Sequence, residues 1–329
     1  MPHGWDASAS GPGSAAMADR LAILTWHNVD ATWWYPSRPG AGVRGLARQL
    51  RSLRRFANVV PLEPALEALA SGRPLPPRAV ALSWDDGYRD GLELAAPLLE
   101  RFQMPATFFL VPGLLSGEVR AWWELVAWAW AHSTRSSIPW GHRVLQVRGP
   151  AGRRSLRWLG GWLQAHSRAA REQRIAELLE RLRPAGDPGD RRLFLDWSEA
   201  RKLAGKGFAI GSHSMYHTIL RNEPLEEQRW DLAASRAQLE QQLAVPVRLF
   251  AYPSGQPGDY DAETVDAVAR AGYSHAFTTR AGWNRPATPA LEGHRVVVEP
   301  QRTFSSLAVR RVVARVARKV RPAAVIDEG

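Results

Sequence analysis

The sequence predicts an α/β fold built on a parallel sheet, because short apolar runs alternate with stretches of helical apolar spacing. Three runs show this most clearly, at residues 21–26, 79–83 and 106–111. Each is almost wholly apolar, as expected for a strand that is covered on both faces of a parallel sheet. Segments with helical spacing separate them, and that order is typical of β/α units.

The other elements are predicted in the same way. Leu46, Leu50 and Leu53 recur at helical spacing, with arginines on the opposite face. Further helices are expected at 63–70, 88–102, 197–204, 226–243 and 262–271, and further strands at 59–60, 208–210, 247–251, 273–278 and 295–298.

A tryptophan- and arginine-rich segment, residues 116–192, interrupts this rhythm. Helical stretches are predicted near 122–132 and 155–183. Ten arginines face only three glutamates between Arg143 and Arg183. We interpret the segment as a helical insertion over one domain that spans 20–304. Its tryptophans at 122, 123, 128 and 130 occupy more than one side of a helix, which favours core packing.

Composition limits the function classes. The 329 residues contain no cysteine, which excludes disulfides, thiolate zinc sites and cysteine nucleophiles. The 43 Lys and Arg against 32 Asp and Glu give a net charge of +11, which favours anionic partners. No nucleic-acid recognition motif accompanies the charge, so we expect no nucleic-acid partner.

The two ends of the chain differ from the predicted domain. Residues 1–19 are rich in Gly, Ser, Ala and Pro and are expected to be a disordered tail. With no signal peptide and no membrane span, cytoplasmic residence is the default expectation. Residues 305–329 contain a basic amphipathic helix with valines along one side. Two interpretations stay open for it: packing on the domain, or peripheral contact with an anionic membrane surface.

Two strand ends carry the candidate chemistry. Asp85 and Asp86 directly follow the 79–83 run, and neighbouring carboxylates both stay ionised only beside a cation. Asp-Asp-Gly alone also fits an ordinary turn. His213 and His217 follow the 208–210 run, and four-residue spacing on a helical turn would place both rings on one face. One carboxylate with two histidines is a common catalytic zinc set and also suits Fe(II).

These segments resemble the motifs of the polysaccharide deacetylases, the family of the NodB homology domain. Ser-Trp-Asp-Asp-Gly at 83–87 looks like the first motif, and His-Ser-Met-Tyr-His at 213–217 matches the second. Phe-Ala-Tyr-Pro-Ser-Gly at 250–255 is similar to the third. The resemblance covers about 20–115 and 195–300. It implies a distorted (β/α) barrel with the insertion placed over it.

The resemblance also implies a function: metal-dependent removal of acetyl groups from N-acetylated sugars of a poly- or oligosaccharide. By resemblance Asp85 is the catalytic base, and Asp86, His213 and His217 hold a divalent ion, expected to be Zn²⁺. The backbone N–H of Tyr252 is expected to donate to the oxyanion. The basic surfaces suggest a lipid-linked saccharide substrate at the inner membrane face.

Two departures from the family pattern are visible. Ala251 stands where the third motif has an arginine, so we expect Arg295 or Arg280 to orient Asp85. The late motif that supplies a histidine as general acid has no clean copy. His294 is the predicted general acid, with an ordinary surface histidine as the open alternative and His27 as a further candidate. The departures also motivate an alternative, a non-catalytic saccharide-binding protein that retains the barrel.

Overall fold

The computed structural model describes residues 19–36, 41–188 and 192–298. Its strands, in chain order, are β1 (Ala22–Trp26), β2 (Asn58–Val59), β3 (Ala79–Trp84), β4 (Thr107–Leu110), β5 (Ser137–Trp140), β6 (Arg143–Gln146), β7 (Ala209–Ser212), β8 (Leu249–Ala251), β9 (His275–Phe277) and β10 (Val296–Val297). Eight of them form one sheet in the order β10-β1-β3-β4-β7-β8-β9, with β2 paired to β3. All pairings recorded in this sheet are parallel, which confirms the predicted α/β fold.

Helices connect the strands. They are α1 (Gly42–Phe56), α2 (Leu62–Ala70), α3 (Ala96–Phe102), α4 (Pro112–Leu115), α5 (Trp122–Ala131), α6 (Gly149–Gln164), α7 (Arg168–Leu182), α8 (Trp197–Gly205), α9 (Leu225–Leu243) and α10 (Ala262–Arg270). A π-helical turn, Gly91–Ala95, leads into α3, and 3₁₀ turns lie at Leu220–Asn222 and Ala290–Glu292.

The sheet curls, and the segment after the last 3₁₀ turn closes it. The N–H of Thr278, just after β9, donates to the carbonyl of Gly293 at 2.8 Å. A few residues later the same segment pairs with β1, where Val298 N donates to Thr25 O at 2.7 Å. Residues 293–298 therefore join the two edges of the sheet, and the predicted distorted (β/α) barrel is confirmed.

Strand residues alternate between the barrel interior and the helices outside. Leu82 and Trp84 pack outward in the core shared with the helices, whereas Ala81 and Phe109 belong to a separate interior cluster. A Cβ on Gly211 would lie 2.4 Å from the Phe109 ring, so this ring can cross the barrel only opposite glycine.

The predicted insertion has its own apolar core. Trp128, Trp130 and Trp140 are buried among α5, α6, α7 and the antiparallel hairpin of β5 and β6. The predicted helix at 155–183 is two helices, and the hairpin was not predicted because Pro139 interrupts its strand pattern. A Cβ on Gly160 of α6 would lie 2.4 Å from the Trp34 ring, which shows how closely the insertion packs on the loop after β1.

The expectations for both ends of the chain lie outside the described residues, except for residue 19 and the edge of the barrel up to Val298. The basic amphipathic segment at 305–329 is therefore not placed. Within the described ranges, no helix combines the length and apolar character needed to cross a membrane.

Candidate active site

The carboxylates of Asp85 and Asp86 diverge at the end of β3. The N–H of Asp85 still donates to Trp26 O at 2.8 Å, which continues the parallel pairing with β1. Asp86 and Gly87 then take positive φ values of 70° and 76°, so the chain turns sharply. Both carboxylates are buried, yet they face different partners. Asp85 contacts an arginine and Asp86 contacts the two histidines.

The histidines meet across a loop and not on a helical turn, so the predicted helical placement is wrong. β7 ends at Ser212, and Ser214 and His217 adopt left-handed conformations with φ of 64° and 54°. This fold of the loop brings the two imidazole centroids to 5.0 Å. Each Nε2 lies 3.3 Å from Asp86 Oδ1.

Neighbouring elements hold this loop in place. His213 Nδ1 lies 2.7 Å from Ala251 O, which fixes that nitrogen as an N–H donor and turns Nε2 toward Asp86. Midway along the loop, Met215 N donates to Asp231 Oδ1 of α9 at 2.7 Å. The Trp123 ring of the insertion lies 4.4 Å from the His217 ring. The insertion therefore forms part of the wall of the site.

The three side chains fit a divalent metal ion. One ligand atom from each of Asp86, His213 and His217 lies within 4.8 Å of the others. Asp86 Oδ1 is buried and receives no hydrogen bond, an arrangement that a bound cation would explain. Although burial raises the pKa of Asp86, His217 and His213 outweigh it and hold that pKa well below its usual range. Burial lowers the pKa of His217, which favours the neutral imidazole that a ligand needs.

Arg295 is the partner of Asp85, and Arg280 is not. Arg295 is fully buried inside the barrel, with Nη1 2.7 Å from Asp85 Oδ1. Its Nε donates to Thr278 O at 3.2 Å, and its guanidinium lies 5.3 Å from the Phe109 ring centre. Burial raises the pKa of Asp85, but the charges of Arg295 and His213 more than offset this and lower it. Asp85 is therefore an ionised carboxylate. Arg280 instead lies 3.8 Å from Glu292.

The expectation for Tyr252 is wrong. Its backbone N–H donates to Phe277 O at 3.0 Å, as the pairing of β8 and β9 continues one residue past β8. A donor used in the sheet is not free to face an oxyanion. The phenol is also occupied, since it donates to Leu291 O at 3.1 Å.

The structure does not bring His294 into contact with the two carboxylates or the two metal-site histidines, which are Asp85, Asp86, His213 and His217. Burial lowers the pKa of His294, and the nearby charges that act on this pKa are those of Arg280 and Glu292. The backbone of His294 is held by Asn284, whose Oδ1 accepts from its N–H at 2.8 Å. His27 lies differently, because its charge contributes to lowering the pKa of both Asp85 and Asp86. The role of His294 as general acid stays a prediction.

Sequence reasoning missed two carboxylates that shape the site. Glu124 of α5 accepts from Tyr88 Oη at 2.7 Å and from the backbone of Trp33 at 3.0 Å, which ties the insertion to two strand-end loops. A lone glutamate in the otherwise apolar run 122–131 was the available signal. Asp90 accepts from Val29 N at 2.7 Å, and burial raises its pKa to about 6.

Together the fold and the site define a (β/α) barrel protein with a buried carboxylate and two imidazoles at the carboxyl ends of its strands. The sequence profile of the polysaccharide deacetylase family matches residues 72–135 and 158–276. The match spans more than half of the chain, so the chain belongs to this family, which confirms the resemblance.

Solved structures agree in fold. Streptococcus pyogenes deacetylase PplD, in complex with acetate, is 17% identical with a TM-score of 0.59, over 89% of this chain and 98% of that one. IcaB from Ammonifex degensii is 20% identical with a TM-score of 0.56, over 91% and 97% of the two chains. At these identities the likeness shows the fold alone.

A curated relative matches a shorter segment. It is the poly-beta-1,6-N-acetyl-D-glucosamine N-deacetylase of Escherichia coli strain K12, 33% identical over 89 residues. The match covers 27% of this chain and 13% of that protein. The activity of the whole relative therefore transfers to this chain only as a proposal.

Proposed function

We propose that this protein is a metal-dependent hydrolase that removes acetyl groups from N-acetylated sugars of a polysaccharide. The observation that carries the proposal is that two adjacent carboxylates, Asp85 and Asp86, have different partners. Asp86 faces two imidazoles in a ligand-like group, whereas Asp85 lies beside them and is held ionised by Arg295. One carboxylate is thus suited to hold a cation and the other to accept a proton.

In this proposal Asp86, His213 and His217 hold a divalent ion, and Zn²⁺ is the ion that this donor set favours. An ion held by these residues would supply Lewis-acid chemistry, the polarisation of the acetyl carbonyl and the activation of water. Asp85 accepts the proton of the attacking water, and Arg295 orients Asp85 for this transfer. The water oxygen bonds to the acetyl carbon first and gives a tetrahedral intermediate, and the C–N bond of this intermediate then breaks to release acetate and a free sugar amine.

A second proton must reach the leaving amine. We assign this role to His27 over the sequence-based choice, His294, because the charge of His27 helps to lower the pKa of both Asp85 and Asp86. His27→Gln should therefore lower kcat for acetate release by about 100-fold, as for loss of a general acid. His294→Gln is the matched variant. A larger loss in His294→Gln than in His27→Gln would reverse the assignment.

The central test compares two isosteric variants. Asp85→Asn should keep one divalent ion per chain and lose acetate release by about 100-fold or more. Asp86→Asn should lose both, because an amide is a weaker ligand than a carboxylate. Elemental analysis and acetate release measure the two effects, with the exposed Asp266→Asn as control. Equal metal loss in the Asp85 and Asp86 variants would contradict the roles. Full turnover in Asp85→Asn would show that Asp85 is not the base, whereas no acetate release by the unaltered protein would leave saccharide binding as the function.

We also propose that the substrate is lipid-linked and that the protein contacts an anionic membrane surface. Exposed Arg153, Arg154 and Arg157 of α6 support this proposal. Arg157 follows Arg153 by four residues and Arg154 by three, so the three side chains share one face of the helix. None of them pairs with a carboxylate in the described ranges. Each cation near an anionic surface contributes about 1 kcal/mol to attachment.

A further inference from the structure

A cleft of about 330 Å³ opens beside the histidine loop, between the start of α7 and helix α9. Tyr216 and Thr218, the residues on either side of His217, both line it. A volume near the lower end of the usual range for small-molecule pockets, about 300–1,000 Å³, suits a ligand of modest size. A ligand in the cleft would thus lie next to the candidate metal site.

One wall of the cleft is an aromatic shelf formed by Tyr216 and Trp230. The two rings are stacked, with centroids 6.0 Å apart and an interplanar angle of 25°. Trp230 is 51% exposed. The other large apolar side chains that are exposed in the described part of the chain are the valines at 43, 144 and 297. About half of the Trp230 surface is therefore open to a ligand in the cleft.

The shelf is rigid. Tyr216 Oη donates to Glu118 Oε1 at 2.7 Å, and the guanidinium of Arg168 lies 4.8 Å from the Tyr216 ring centre. Gly113 of α4 supports the ring from another side, since a Cβ there would approach Tyr216 Cδ1 to 2.5 Å. A fixed ring loses little entropy when a ligand stacks on the shelf.

The polar rim of the cleft carries both signs of charge. Arg168 supplies a cation, and Glu223 and Glu227 supply carboxylates. Glu223 Oε1 already accepts from Arg168 N at 2.6 Å, at the first turn of α7. Such a rim offers donors and acceptors without a strong net charge. It matches a neutral ligand with hydroxyl groups along its edge and an apolar face for the shelf. A pyranose ring has both features.

Resting on the proposed deacetylase function, we propose that the aromatic shelf binds a sugar unit next to the one being deacetylated. The C–H face of that unit stacks on Trp230, and its hydroxyls meet the rim. The protein then selects a saccharide chain over a single sugar, because only a chain reaches both the metal site and the cleft.

Calorimetry with full-length, Zn²⁺-loaded Asp85→Asn protein, which does not consume the ligand, tests the shelf. The probes are N-acetylglucosamine pentamers with β-1,6 or β-1,4 linkages. Adding Trp230→Ala should raise Kd for the better pentamer by about tenfold, the order of one lost aromatic contact. Trp230→Phe keeps a ring and should recover most of the affinity. Val144→Ala, which truncates another exposed apolar side chain, should leave Kd unchanged.

Several results would overturn the proposal. These are equal pentamer affinity with and without Trp230, an equal loss in Val144→Ala, or no binding of either pentamer. The proposed function fails separately, because it predicts acetate release by the unaltered protein. If acetate release depends on Asp85 but pentamer binding ignores Trp230, only the shelf is wrong. If Trp230 governs binding and no acetate appears, only the hydrolase assignment is wrong.

Discussion

Among the described residues, the barrel and the insertion each bury one arginine, and the two side chains differ in their partners. Arg295 is fully buried in the barrel, where Asp85, Thr25 and Thr278 accept hydrogen bonds from its Nε and Nη1, although its Nη2 has no partner in the described ranges. Arg171 of the insertion is 2% exposed, and its Nη1 has no hydrogen-bond partner in the described ranges. Its guanidinium lies 5.3 Å from the Trp122 ring, and burial lowers its pKa.

This contrast shows which buried charge stabilises the fold. A buried charge is favourable only when a partner and hydrogen bonds compensate its desolvation. Arg295 has a charged partner and hydrogen bonds, so its burial is compatible with a stable barrel. Arg171 has no salt bridge in the described ranges, and the charges of Glu223 and Glu172 only partly offset its burial, so stability does not explain it. Its charge does reach the site: burial lowers the pKa of His217, and Arg171 adds to that lowering. The predictions below therefore assign opposite signs to the two arginines.

The largest effect is expected for Arg295→Met. The change leaves the Asp85 carboxylate buried without its cation, which should lower the free energy of unfolding by about 3–5 kcal/mol. Urea unfolding measures it. The double variant Asp85→Asn with Arg295→Met removes both charges and should recover most of the loss. If the double variant is as unstable as the single one, the ion pair is not what Arg295 contributes.

A second prediction concerns Asp231, a buried carboxyl group that is neutral when it is protonated. Burial raises its pKa from 3.8 to about 7, so the folded state binds the proton more tightly than the unfolded state. The stability from this group is complete below the unfolded pKa and is lost as pH rises through about 7. Between pH 5 and 8 the loss should be about 2.5–3 kcal/mol, because the two pH units between 5 and the folded pKa count at roughly 1.4 kcal/mol each.

Asp231→Asn should remove this part of the pH dependence while its side-chain oxygen still accepts from Met215 N. Urea unfolding at pH 5, 6, 7 and 8 measures the difference between the variant and the unaltered protein. Asp266→Asn, on the exposed surface of α10, is the control and should leave the slope unchanged. Parallel pH profiles for the unaltered protein and Asp231→Asn would contradict the assignment.

The barrel was largely predictable from sequence because its signals are local. Apolar runs fix the strands, and the residues that end them bring Asp86, His213 and His217 together. What the sequence left open or missed depends on contacts between distant residues. Arg295 and Arg280 both stayed open as the partner of Asp85, because Asp85 and Arg295 are 210 positions apart and meet only after the barrel closes. The N–H of Tyr252 is used by β9, which the motif itself does not reveal.

The insertion was less predictable for a related reason. Its arginine excess indicated a basic surface, but folding divides these arginines into different classes. Arg174 and Arg181 pair with Glu177, Arg143 stacks on Trp158, and Arg171 is buried. Sequence counts charges, whereas burial and pairing decide what each charge does.

The third prediction is an increase in the free energy of unfolding, whereas the first is a decrease. Arg171→Met replaces a buried, unpaired charge by an apolar side chain of similar length. It should raise the free energy of unfolding by about 1–3 kcal/mol, the usual penalty for an unsatisfied buried group. Arg174→Met, an exposed paired arginine on the same helix, is the matched control. Destabilisation by Arg171→Met would mean that the contact of its guanidinium with Trp122 outweighs the burial of its charge.

The smallest effect on stability is expected for the exposed arginines of α6. Replacing Arg153, Arg154 and Arg157 by Gln should change the free energy of unfolding by no more than about 0.5 kcal/mol for each residue. Because the side chains face solvent, their charge acts on partners and not on the fold. Sedimentation with vesicles that contain an anionic lipid should therefore fall at low salt in the triple variant. High salt should release the unaltered protein as well, since screening shortens the range of the attraction. If the triple variant sediments like the unaltered protein, this face of the insertion does not contact the membrane, although the two buried arginines would still differ.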